Sequence, residues 1–84
     1  MKAVIRVTNQ SRGLYAAEID GRGEYVIFEL LDSSKPEVGD VISHPDFDSL
    51  GGETIHSVSQ SCDIDVSIVD VCGARMVRPR LFGS

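Results

Sequence analysis

Apolar and polar residues alternate in steps of two along most of this chain, and glycine-bearing turns separate the alternating runs. Ala3, Ile5 and Val7 share one side of the first run, Tyr15, Ala17 and Ile19 one side of the second, and Cys62, Ile64, Val66 and Ile68 one side of the last. Successive side chains of a strand point to opposite faces of its sheet, so each run predicts a strand with one apolar face. Asn9-Gln10-Ser11-Arg12-Gly13 and Asp20-Gly21-Arg22-Gly23 supply the residue types that make tight turns. Residues 2–8, 14–19 and 24–31 are therefore expected to form a three-stranded meander.

The third run is apolar on both sides. Val26, Phe28 and Leu30 lie on one, and Tyr25, Ile27 and Leu31 on the other, interrupted by Glu29. A strand face left to water does not normally carry Tyr, Ile and Leu, so a cover over this outer face is predicted. Residues 32–37 read as a polar loop around Pro36, and residues 38–42 re-enter the sheet. Pro45 suits the first position of a helix, Phe47 and Leu50 are spaced to share a helical face, and Gly51 suits the residue past a helix end. One short helical turn over 45–50 follows, then closing strands over 53–59 and 63–71. In the last strand the apolar positions move from even to odd numbers between Ile68 and Val69, which predicts a bulge or strand end there. The fold class is all-β, a small barrel of five or six strands with one short helical turn.

Three meandering strands, a re-entry segment, a helical turn and two closing strands, together covering residues 2–72, resemble the oligonucleotide/oligosaccharide-binding (OB) fold, whose helix lies between its third and fourth strands. Tyr25-Val26-Ile27-Phe28-Glu29-Leu30 is similar to the aromatic strand of cold-shock and related barrels. An SH3-like barrel is the alternative architecture. The resemblance implies single-stranded RNA or DNA binding, for which Arg12, Arg22 and Tyr15 would form the rim.

Charge weighs against that implication. The chain has 84 residues and a formal net charge of −5, and all its acids fall within the barrel segment, residues 1–72. Residues 73–84 form a basic C-terminal tail with Arg75, Arg78 and Arg80 and no acid. Affinity for a polyanion comes largely from Lys and Arg displacing condensed counterions, and an acidic body opposes that gain. No apolar stretch approaches the ~20 residues that cross a bilayer, and Arg6 breaks the first apolar run at once, so the expected location is the cytoplasm with no membrane contact.

Candidate chemistry is sparse. Cys62 and Cys72 fall near the two ends of one predicted strand, on the order of 30 Å apart, too far for a disulfide. His44, His56, Cys62 and Cys72 lack the close sequence pairs of a zinc site. Asp63 and Asp65 alternate with the core row and point outward, while Asp46 and Asp48 flank Phe47 in a turn. The serines lie in no nucleophile motif, and Gly51-Gly52 lacks the Lys of a phosphate loop. No catalytic residue, metal or cofactor is expected, and the protein reads as a non-enzyme.

Two features remain: the apolar outer face of the third strand, and a tail in which Met76, Val77, Leu81 and Phe82 are interleaved with arginines. Arg and aromatic residues are typical interface anchors. A protein-interaction module is therefore expected, contacting another protein or a second copy through Tyr25, Ile27, Arg75, Arg78, Arg80, Leu81 and Phe82; single-stranded nucleic-acid binding is the alternative. The four apolar tail residues are also expected to dock on the face containing Tyr25 and Ile27, within one chain or across a dimer.

Overall fold

The computed structural model of the chain describes residues 1–83. Its strands are β1 (Lys2–Asn9), β2 (Leu14–Ile19), β3 (Glu24–Leu30), β4 (Val41–Ser43), β5 (Gly51–Ser57) and β6 (Cys62–Gly73). They close into a barrel in the order β1-β2-β3-β6-β5-β4, and every neighbouring pair is antiparallel. A 3-10 turn at Ala74–Met76 leads from β6 into α1 (Val77–Phe82). This is the all-β barrel that the alternation predicts, with its one short helix at the C-terminal end of the chain rather than over 45–50.

The inward rows are those read from the period of two. Ala3 and Ile5, then Tyr15, Ala17 and Ile19, then Val26 and Phe28, then Ile64, Val66 and Ile68 pack into one interior cluster with Ile42, Phe47 and Ile55. The Tyr15 ring stacks on Phe28 inside the barrel, centroids 5.4 Å apart. Leu30, Cys62 and Val71 pack against the rim of this cluster.

Two β-bulges change the parity of the strands. In β6, Ile27 faces Asp70 while Phe28 faces Ile68, so Val69 is the extra residue; beyond it Val71 turns inward and Cys72 outward. This is the predicted bulge. In β1, Ile5 faces Ala17 and Val7 faces Ala16, so Arg6 is extra. That bulge moves Val7 from the expected inner row to the outer face, where it packs beside Ala16 and Ile27. An extra residue accommodated in a bulge exchanges odd and even numbers in the inward row beyond it, because side chains alternate with period two.

The helical turn expected over 45–50 does not form. The His44 ring Nδ1 accepts the Asp46 N–H at 2.9 Å, and Asp46 Oδ1 accepts the Asp48 N–H at 3.0 Å. Such local side-chain bonds offer the backbone an alternative to a helix, and six residues are too few to nucleate one unaided. Phe47 nevertheless plugs the barrel, wholly buried, while Leu50 is 62% exposed, so the two do not share a face. The helix lies instead at the C-terminal end, where Gly83, at φ 77°, donates its N–H to the Pro79 carbonyl at 2.8 Å. Glycine takes that left-handed geometry without the steric penalty of a side chain.

Candidate functional site

α1 lies across the outer surface of the meander. Val77 and Leu81 are four residues apart and so share a helical face; both are buried against Ala16 and Ile27, with Val7, Leu14, Tyr25 and Cys72 around them. Polar bonds fix the position. The Asn9 side-chain amide donates to the Leu81 carbonyl at 2.7 Å, Arg12 reaches the same oxygen at 3.4 Å, and Arg80 pairs with Asp70 at 3.0 Å. Burial pushes the Cys72 thiol pKa up, with the nearby Asp70 carboxylate adding to the shift. The apolar outer face of β3 is thus covered by the chain's own C-terminal helix.

This packing divides the expected contact residues. Ile27 and Leu81 are fully consumed, Tyr25 is half-buried in the same cluster, and Arg80 is ion-paired, so these four do not form a free partner surface. Arg75, Arg78 and Phe82 stay at the surface with Met76; Phe82 is 45% and Met76 44% exposed. Only half of the expected apolar docking occurs, because a helix this short turns two of the four side chains inward and leaves the other two on its flank.

The nucleic-acid rim is not assembled. Tyr15 is in the interior rather than on a ligand face, and burial raises its hydroxyl pKa. Arg22 is held between Glu24 and Asp48, with its Nη1 at 2.9 Å from Asp48, and that bond lowers the Asp48 carboxyl below its ordinary value. Arg12 lies at the end of α1. The three residues share no basic aromatic surface.

Neither histidine joins a cysteine. His44 Nε2 lies 2.8 Å from Glu53, and since Nδ1 accepts a backbone N–H, the hydrogen-bond network assigns the ring proton to Nε2. Ser49 Oγ donates weakly to the other Glu53 oxygen at 3.4 Å. His56 pairs with Asp63 at 2.9 Å on the outer surface. Among the described residues no three His, Cys, Asp or Glu side chains cluster as a metal site.

A cleft of about 480 Å³ opens over β5 and β6, lined by Leu31, Gly52, Glu53, Thr54, Asp65 and Val66. Gly52 leaves the space unfilled, as a β-carbon placed there would meet nothing within 4 Å. Leu31 is 56% exposed at its edge. Asp32, next in the chain, accepts the Asp65 N–H at 2.9 Å and the Ser34 N–H at 2.8 Å, and these bonds hold its carboxyl below the ordinary Asp value of 3.8. Because the folded-state pKa is depressed, the stabilisation is present above the unfolded value and is lost as pH falls through the folded one. An NMR titration should place the Asp32 midpoint below 3.8, and a midpoint at or above that value would mean the two bonds are not kept in solution.

The sequence offered no pointer to this cleft. Its walls come from cross-strand neighbours, Glu53 facing Val66 and Thr54 facing Asp65, and from the residue just past β3. The only local sign was the pair Gly51-Gly52 at the start of a strand, where an absent side chain often marks a close approach or an opening.

Fold and surface together define a small closed antiparallel barrel with a helix strapped over one face, an open cleft over another, and a basic apolar edge along the strap. Comparison with models of known protein families, with curated proteins and with solved structures finds no match for the chain.

Proposed function

We propose that this chain is a non-enzymatic protein-interaction module on an OB-like barrel, and that it meets its partner through the outer edge of the C-terminal segment, at Arg75, Met76, Arg78 and Phe82. The observation that supports this is a contrast among the arginines. Arg6, Arg22 and Arg80 are ion-paired with barrel carboxylates, whereas Arg75 and Arg78 form no ion pair among the described residues and adjoin two half-exposed apolar side chains. Interface cores are enriched in Arg, Met and aromatic residues, and such anchors commonly dominate the binding energy. The complementary surface is acidic with an apolar recess. Nucleic acid is the second reading, supported by the same arginines and disfavoured by a body that holds all the acids.

A photoreactive phenylalanine analogue at position 82 tests the proposal in cells. The expected product is a nuclease-resistant adduct to a protein, absent when the analogue replaces Val58 on the β5–β6 turn. No adduct, or one that nuclease removes, would overturn it. In parallel, fluorescence anisotropy with short single-stranded DNA and RNA should show no saturable binding tighter than about 1 µM at physiological salt. Sub-micromolar binding that weakens steeply with salt would promote the nucleic-acid reading instead.

A further inference from the structure

We propose that the partner is a second copy of this chain, joined head to tail, with the Arg75–Arg78–Phe82 edge of one copy seated in the Leu31 cleft of the next. This rests on the interaction-module reading and names its partner.

The two surfaces match in charge and in shape. No Lys or Arg lines the cleft. Around it, the outward positions of β3 and β6 carry Glu29 and Asp65, both exposed, while Asp63 nearby is paired with His56. Leu31 and the open space above Gly52 give this shallow, open face an apolar side. The edge of the C-terminal segment supplies the inverse: two arginines that form no ion pair among the described residues, and two half-exposed apolar groups. Asp65 keeps its side chain in reach of an incoming cation, bonded only to Thr54 at 3.3 Å.

The match cannot be satisfied within one molecule. α1 is pinned to the β1-β2-β3 face by Val77, Leu81 and the Asn9 and Arg80 contacts, while the cleft lies over β5 and β6. Different patches then meet at each contact, so the interface is heterologous and repeats into a ring or an open series. The net charge of −5 opposes approach at long range, but at physiological salt the screening length of about 8 Å removes most of that repulsion, while the pairs at the contact act inside it.

Analytical ultracentrifugation of the full chain tests the proposal. Wild type should show concentration-dependent mass above 9.1 kDa, weakening at about 1 M salt, where screening reaches about 3 Å. Arg78→Ser with Phe82→Ser breaks one surface, and Glu29→Lys with Leu31→Lys breaks the other. All four side chains are exposed, so both variants should fold, which circular dichroism checks. Each variant alone should associate at least about tenfold more weakly than wild type. An equimolar mixture should recover a complex of two chains and go no further, because each dimer then presents two broken surfaces. Wild type that stays at 9.1 kDa up to about 1 mM, or variants that associate as wild type does, would overturn the head-to-tail contact. If wild type is monomeric but the position-82 analogue crosslinks to a protein of another mass, the interaction module stands and self-association falls. If no protein adduct forms at all, both fall.

Discussion

Replacing Leu81 with alanine should lower the melting temperature by at least about 8 °C. Leu81 is fully buried between α1 and the sheet, and truncating a buried leucine costs about 2–5 kcal/mol. In a domain of this size each kcal/mol moves the midpoint by roughly 4–8 °C. The total stability expected of 84 residues is only about 4–13 kcal/mol, so the loss is a large share of the whole. Deleting residues 74–84 should be worse, since Ala16 and Ile27 would then face water. Phe82→Ala, at a side chain already 45% exposed, should stay within a few degrees of wild type. Thermal melts followed by circular dichroism separate the two substitutions, and a Leu81→Ala protein that melts with wild type would show that α1 is not held against the barrel in solution.

Phe47→Ala should be at least as damaging. Phe47 is wholly buried in the barrel although it comes from an irregular turn, and a buried Phe→Ala change costs about 3–5 kcal/mol. The variant should be largely unfolded at about 37 °C or melt roughly 12 °C or more below wild type. Leu50→Ala, three residues on and mostly exposed, should change little. Urea denaturation of the pair provides the check, and equal midpoints would contradict the plug.

These two residues also show where the sequence was readable. A strand's alternation reports burial directly, so the inward rows of β2, β3 and β6 and the extra residue at Val69 follow from the apolar positions alone. The bulge at Arg6 left no such trace, since Val7 is as acceptable on a covered outer face as on an inner one. Pro45, Phe47 and Leu50 have helical spacing, but the competing bonds of His44 and Asp46 to backbone N–H groups are tertiary and local details that no periodicity carries. The tail was recognisable as apolar and basic, and its docking on Tyr25 and Ile27 followed from two surfaces each lacking a cover. Which two of its four apolar residues would turn inward depended on its becoming a helix. The cleft was invisible because it is made by residues far apart in the chain, around a glycine whose contribution is empty space.

The bulges at Arg6 and Val69 have a consequence for how this barrel tolerates change. Each rotates the chain beyond it by half a pleat, and together they deliver Val7 and Cys72 to the platform on which α1 rests. Neither extra residue contributes its own side chain to that platform, for both are exposed. Substitution at either site should therefore pass almost unnoticed, and removing the extra residue should leave the facing intact as well. Without Arg6 or Val69, Ile5 and Val7, or Ile68 and Asp70, would alternate regularly and keep their present partners, and only the local bend and twist of the bulge would be lost. At these two positions the chain is indifferent both to the letter and to the count, whereas one residue lost elsewhere in a strand would reverse every facing beyond it.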